Sequence, residues 1–452
     1  MLRIDKILEY LPTIKPPERP LTVEEKIKNS MLVIIIYVLL ASIPIFGISP
    51  VVGQRFMEFM WVFGSHLGTL ATIGIAPIIM AGLFMQLLIF SGIVNINIFD
   101  EESKSKYDSY VKFLSIIFLL IQSISFILSG NVIPDYNLPI PLPILYFIIF
   151  LQLFLGGFII ILLDDFSVKY GVLSGINLII FISISISVAL RIFNPVPSPQ
   201  YAIHGLYVPT GLIPQAIVYL MQGNISFALA LIFKVLLTFA VLAFVAYLQS
   251  IRIEIPLLYI NIGGRVIKYP LNFLYTSVLP AIFLYGIITW FQMIFGRNPN
   301  SIFYKLFLPP NLIINISQYG LSYLLEFFNV FHILFYLIIF VVGGMLFSYM
   351  WVTTSGMDAK TITKYLQTMP IQTLKYRDPR LIEKTLEKYI NTLAYLSGIM
   401  IGFIAAISDI LGVAVSGISL LLLVVIASQM YMELERNGAI QYLPLIGKYL
   451  IK

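Results

Sequence analysis

Few residues in this chain are equipped for chemistry. There is no cysteine, which excludes disulfides, thiolate metal sites and thiol redox chemistry. The ordered combinations that catalysis requires are missing: no H-E-x-x-H, no G-x-S-x-G, no phosphate-cradling G-x-x-x-x-G-K-[ST] and no G-x-G-x-x-G. Tyr107-Asp108 lacks the G-x-G-D partner of intramembrane aspartyl proteolysis. No catalytic residue, metal or cofactor is expected. Ion-coupled carriers relay through carboxylates buried in lipid, yet no Asp or Glu falls inside an expected span. His66 and His332 stand near outer span ends. Lys234 lies ~24 Å along its helix from the cytoplasmic end, within snorkelling reach of the outer interface. The interrupted spans carry branched apolar side chains at i and i+4 instead: Ile75 with Ile79, and Ile176 with Ile180. Such residues can ring a water-excluding constriction, and the same spacing also serves ordinary packing.

The elements that hold these residues are built for lipid. Hydrophobic residues make up 59% of the chain and charged residues 11%, and the mean hydropathy is +0.94. A soluble domain carries about 25% charge, so this chain lacks the polar surface to face water. Its 452 residues accommodate about ten spans of ~20 residues with short loops. The expected fold is an all-α integral membrane protein, with ten transmembrane helices in two five-helix inverted halves. Residues 1–28 form a cytoplasmic amphipathic segment without the features of a cleavable signal peptide. Residues 29–193 hold helices 1–5, 194–224 an external hinge linker rich in Pro and Gly, 225–434 helices 6–10, and 435–452 a cytoplasmic tail. The uncharged stretch Leu306–Leu325 contains Pro309, Pro310 and several Asn, and is expected to be a loop. Residues 59–99 are uncharged but too long for one span, and Gly74, Pro77 and neighbouring glycines divide them. A short helix is expected over 57–63, ahead of a span from about Ile75. Pro77 and Pro280 interrupt the second span of each half, the arrangement that points to an inverted-repeat pathway. Close glycines (Gly156-Gly157, Gly343-Gly344, Gly398 with Gly402) are expected to serve helix packing. With a cytoplasmic N-terminus, inner segments hold 23 Lys and Arg against 4 outside, Lys234 lying within a span. Both termini are therefore expected on the cytoplasmic side.

Four stretches, in order, resemble the SecY family of the archaeal and eukaryotic type: Leu67–Leu88, Leu163–Ile176, Ser250–Pro256 closing with Val266–Pro270, and Trp351–Asp358. The resemblance covers nearly the whole chain. It implies a protein-conducting channel that moves unfolded polypeptides across the cell membrane and releases transmembrane segments sideways into lipid. It also implies a pore ring of Ile75, Ile79, Ile176, Ile180, Leu279 and Leu422, and a plug of Met57, Glu58, Phe59, Met60, Trp61, Val62 and Phe63. Arg252, Arg265, Lys268, Lys375, Arg377 and Arg380 would dock the ribosome. The last three lie in a loop whose basic excess also suits rRNA phosphates. Met80, Gln86, Gln122 and Val278 would line the lateral gate. Here Met80 and Val278 depart from the Thr and Asn usual in the family, and Ser416-Gly417-Ile418 departs from its Gly-Gly-Thr. SecE, a small Sec-beta subunit, the ribosome, signal-bearing nascent chains and lipid are the implied partners. The alternative is an inverted-repeat secondary transporter, which shares the broken helices but needs buried coordinating groups. A scaffold subunit would need no breaks.

Overall fold

The computed structural model describes residues 12–49, 66, 68–91, 93–94, 101–128, 133–197, 208–259, 266–276, 279–295, 301–368 and 379–436. Two compact units emerge, 1–185 with 426–452, and 186–425. The first holds α1 (Val23–Ser42), α2 (Ala76–Phe90), α3 (Glu101–Leu128), α4 (Leu142–Tyr170) and the start of α5 (Gly175–Phe193). The second holds the end of α5, then α6 (Leu212–Met221), α7 (Ile225–Ser250) and the strands β1 (Arg252–Tyr259) and β2 (Val266–Asn272). It continues through α8 (Leu279–Phe295), α9 (Ile302–Phe307), α10 (Leu312–Tyr319), α11 (Phe327–Thr354), α12 (Ala359–Thr368), α13 (Pro379–Leu411) and most of α14 (Gly417–Arg436).

Seven of these helices, α3, α4, α5, α7, α11, α13 and α14, are long and apolar enough to cross a bilayer. Three more complete ten spans, and each is marginal for a visible reason. The 20 residues of α1 include Glu24, Glu25, Lys26 and Lys28 in the opening turns. With 15 and 17 residues, α2 and α8 extend only ~22 and ~26 Å, short of a ~30 Å core. The protein is thus a multi-pass membrane protein with ten membrane-crossing helices, five in each half.

Glycine brings helices together in both units. A Cβ on Gly157 of α4 would collide with the Leu119 side chain of α3. Where α11 meets α13, a Cβ on Gly344 would stand 2.5 Å from the Gly398 carbonyl oxygen, and one on Gly402 would overlap the Phe340 carbonyl. Small residues allow this close approach, and dispersion contacts then hold helices together in lipid.

Several expectations need correction. The helices overrun the hydropathy limits: α4 continues past Leu163 through Asp164 and Asp165, and α13 continues through Asp409 to Leu411. Acidic residues do therefore lie within membrane helices. The expected loop Leu306–Leu325 contains the end of α9, all of α10 and a 3-10 turn over Gly320–Leu325. Pro309 and Pro310 separate the helices, and Asn311 caps α10 with φ 47°; none of these pieces is long enough to span. Part of the 194–224 segment is helical (α6). Lys234 does not snorkel outward; its side chain is buried (7% exposed), and its carbonyl accepts a bond from the Thr238 hydroxyl at 2.8 Å.

Candidate pore constriction and docking surface

The break in the second span is a helix start. Pro77 occupies the first turn of α2, where its missing N–H has no intrahelical partner to lose. Pro280 stands second in α8, the corresponding place in the other half. Ahead of α2 the chain runs through turns, with Gly68 (φ 82°) and Gly74 (φ 62°) in the left-handed region that glycine adopts without strain.

Non-helical backbone inside a membrane must have its polar groups satisfied within the protein, and several of them have partners here. The Ile45 N–H donates to the Gly68 carbonyl at 2.8 Å and the Leu70 N–H to the Ile43 carbonyl at 3.0 Å, tying the turns to the end of α1. The Thr69 hydroxyl donates to the His66 carbonyl at 2.7 Å and the Thr72 hydroxyl to the Thr69 carbonyl at 2.5 Å. On α4, a Cβ at Gly156 would overlap the Leu70 carbonyl, so this glycine serves the broken segment rather than another helix. Ala71, Thr72 and Ile75 are fully buried. Ile75 immediately precedes α2, and Ile79 lies one turn in.

Ile176 and Ile180 stand in the first turns of α5. The Asp164 carboxylate, projecting from α4, accepts the Ile176 N–H at 3.0 Å. Its neighbour Asp165 is paired with Lys112 of α3 at 2.6 Å and Lys169 at 2.8 Å, and accepts the Ile14 N–H at 2.9 Å. A cavity of about 440 Å³ lies beside these groups. The Leu163–Ile176 stretch thus positions α5 and holds the N-terminal segment at Ile14. Ile180 is buried, while Ile79 and Ile176 are half-buried.

In the second unit, Leu422 of α14 is buried and Leu279 opens α8. Two sets of polar residues there escaped the sequence reading. The Thr276 hydroxyl, just before α8, bonds Ser348 of α11 at 3.0 Å and Ser397 of α13 at 2.9 Å, all three fully buried. Asp409 accepts the Tyr336 hydroxyl at 2.9 Å and the Gly417 N–H at 2.7 Å. His332 is buried against the Leu308 carbonyl at 2.9 Å.

The loop that holds Arg252 and Lys268 is a β-hairpin. β1 and β2 pair antiparallel, Arg252 opposite Asn272 and Pro256 opposite Lys268, with an irregularity between Pro256 and Leu258. Alternation along Arg252-Ile-Glu-Ile255 exposes Arg252 and Glu254 and turns Ile253 and Ile255 inward, the period-two signal that identifies a strand. Ile255 and Leu271 share a core with Leu366, Ile382, Leu386 and Ile390, and the Tyr275 hydroxyl donates to the Met357 carbonyl at 2.6 Å. The hairpin, α12 and the start of α13 therefore form one body, on which Arg252 and Arg380 are exposed.

Of the residues expected at a lateral gate, Met80 is 39% exposed and Gln86 lies in α2. Gln122 of α3 has a buried Oε1 with no hydrogen-bond partner among the described residues. Met57–Phe63, Arg265, Val278, Lys375 and Arg377 lie outside the described residues.

Comparison with known proteins agrees with this architecture. The Archaeoglobus fulgidus protein translocase subunit SecY is 29% identical, the match covering 98% of this chain and 97% of that one. The corresponding Methanocaldococcus jannaschii subunit is 29% identical over the whole of both chains (100% of each). Among solved structures, a protein-conducting channel superposes with TM-score 0.75 at 27% identity, covering 99% of each chain. Sec61 from a canine ribosome–channel complex gives 0.73 at 28% identity, again over 99% of each. A family model for SecY matches residues 69–431, from the turns ahead of α2 to the last turns of α14, and the chain belongs to that family.

Proposed function

We propose that this chain is the channel subunit of a translocon, passing unfolded polypeptides across the cell membrane and releasing apolar segments sideways into lipid. The observation that carries this is the start of α2. Turned backbone, tied by internal hydrogen bonds to the end of α1, delivers the buried Ile75 and, one turn on, Ile79. Irregular backbone persists within a membrane only where protein buries it or it borders a water-filled path. Branched apolar side chains at such a point make a constriction that closes by excluding water.

In this reading Ile75, Ile79, Ile176, Ile180, Leu279 and Leu422 form the ring and Met57–Phe63 the plug. Met80, Gln86, Gln122 and Val278 line the gate. The exposed Arg252 and Arg380, with Arg265, Lys268, Lys375 and Arg377, meet ribosomal RNA, in keeping with the ribosome-bound state of the canine relative. Both termini are cytoplasmic, as the distribution of Lys and Arg requires. A SecE-type subunit clamps the two halves and a Sec-beta subunit accompanies it. The chain itself catalyses no reaction. A secondary transporter needs carboxylates free to coordinate a solute; Asp164 and Asp409 are instead engaged with backbone N–H groups at helix starts.

The test is reconstitution of the purified complex into vesicles. A signal-bearing polypeptide added outside should become protease-protected inside. Saturable uptake of a small solute without polypeptide passage would establish the transporter instead.

A further inference from the structure

The fifth helix of each half begins on the same three residues, Ser174-Gly175-Ile176 for α5 and Ser416-Gly417-Ile418 for α14. The local geometry repeats as well. Ser174 Oγ accepts the Asn177 N–H at 3.4 Å, and Ser416 Oγ accepts the Ser419 N–H at 3.4 Å, so each serine caps its own helix. Each glycine is pressed onto the preceding helix. A Cβ on Gly175 would stand 2.5 Å from Asp164 Cα, and one on Gly417 would stand 2.5 Å from the Ala405 carbonyl oxygen. Each helix start also receives a second acceptor from that preceding helix: Asp164 for the Ile176 N–H at 3.0 Å and Asp409 for the Gly417 N–H at 2.7 Å.

A serine cap satisfies a helix end but leaves the helix free to slide along its axis. A carboxylate on the neighbouring helix does not. It ties the first turn to a fixed level of that neighbour, by accepting a backbone N–H that the helix start leaves without an intrahelical partner. The ring residues lie just beyond these anchors, Ile180 four residues past the Ile176 N–H and Leu422 five past the Gly417 N–H, so at most five residues intervene. Five residues are ~7.5 Å of helix, too short a lever for a shift at the anchor to be absorbed.

We propose that Asp164 and Asp409 are positioning residues of the constriction, each setting the depth at which its half presents Ile180 or Leu422 to the path. The proposal rests on the channel reading above. It requires a neutral acceptor at the same place to suffice, because the bond is made to backbone N–H groups. Asp409 has a further support in Tyr336, whose hydroxyl holds its other oxygen at 2.9 Å.

The test uses the whole complex in vesicles, with polypeptide translocation measured beside resting ion leak. Asp164→Ala and Asp409→Ala should raise leak about ten-fold, the population shift expected when a buried N–H loses its acceptor. Asn at either position should restore leak to near the parent level. Because the chain has no cysteine, a single Leu422→Cys reports depth directly. Its labelling by a membrane-impermeant thiol reagent should change several-fold with Asp409→Ala and return with Asp409→Asn. If an Ala variant fails to fold, Tyr336→Phe in the Leu422→Cys chain carries the test through a smaller change in the same labelling rate. Parent-level leak and labelling in the Ala variants, an unchanged rate in Tyr336→Phe, or no rescue by Asn would each overturn the proposal. A parent complex that passes no polypeptide would sink the channel reading, and the positioning role with it.

Discussion

Gln122 offers a direct handle on lateral release. Its buried Oε1 has no partner among the described residues, and a buried acceptor left unmade costs about 1–3 kcal/mol. Phe84 of α2 meets Phe118 of α3 edge-on, ring centroids 6.0 Å apart. These are consecutive, antiparallel spans, so one turn back along α2 and one turn on along α3 sets Met80 at the level of Gln122. A thioether donates no hydrogen bond, and the Gln122 acceptor goes unanswered. Met80→Thr introduces a donor within the same half. Val278→Asn introduces one from the other half, if Val278 borders the gate as proposed. The two changes therefore separate a local repair from a bond that opening must break.

Met80→Thr alone should raise thermal stability by about 1 kcal/mol, the worth of one hydrogen bond, and leave the gate threshold where it was. Adding Val278→Asn creates an interhelical bond worth about 0.6 and up to roughly 2 kcal/mol in lipid, a factor of about 3 to 30 in the closed-to-open ratio. One leucine at the centre of a span contributes up to about 0.6 kcal/mol to insertion. The double variant should therefore need about one to three more leucines for half-maximal insertion of a graded signal series, scored by protease protection. The same pair of changes on a Gln122→Leu background should have no effect on the threshold. A threshold that stays put in the double variant, or that moves equally without Gln122, refutes the reasoning.

Other outcomes follow from the same structure. Converting Ile75, Ile79 and Ile176 together to Gly should raise the resting ion conductance of the reconstituted channel, and baseline single-channel current would remove them from the ring. Reversing charge at Lys375, Arg377 and Arg380 should weaken ribosome binding and flatten its salt dependence by about one unit of log–log slope per lost phosphate contact. Gly402→Leu would drive a side chain into the Phe340 carbonyl and should cost about 1–3 kcal/mol, read as a lower melting point in detergent. Asp165→Asn weakens the pairs with Lys112 and Lys169 that hold the N-terminal segment at Ile14. Cleavage after the exposed Glu18 by a glutamate-specific protease should then speed up about ten-fold, in line with the loss of a bond to a charged group.

What could be read from the sequence divides along a physical line. Hydropathy reports the solvent around a segment, so ten spans, the two halves and the broken second helices were legible from charge-free runs and the places of Pro77 and Pro280. Hydropathy is blind to how far a helix continues once it leaves lipid. For that reason Asp164, Asp165 and Asp409, all within helices in the structure, were placed outside the spans. The hairpin leaves a trace in the alternation of Arg252-Ile-Glu-Ile255, but its first strand is only eight residues, in a loop where a reading by charge sees basic residues rather than period. The Thr276–Ser348–Ser397 cluster leaves no sequence trace, since its members are separated by long stretches and meet only through tertiary packing.

The repeated Ser-Gly-Ile shows what kind of signal an inverted repeat keeps. Two halves of opposite orientation share little identity, because each residue faces a different membrane surface. Backbone requirements survive this where side-chain preferences do not. A helix that must start tightly against its neighbour needs a capping hydroxyl, then no Cβ, whichever way up it lies. The remote carboxylate is harder to see, because it comes from another helix at different separations: Asp164 lies twelve residues before Ile176 and Asp409 eight before Gly417. The same argument covers the second spans, where a proline in the first helical turn marks each start although the flanking side chains differ. In an inverted repeat, the trace of common construction is therefore to be sought at helix ends, in Gly, Pro and capping residues, before it is sought in the apolar faces between them.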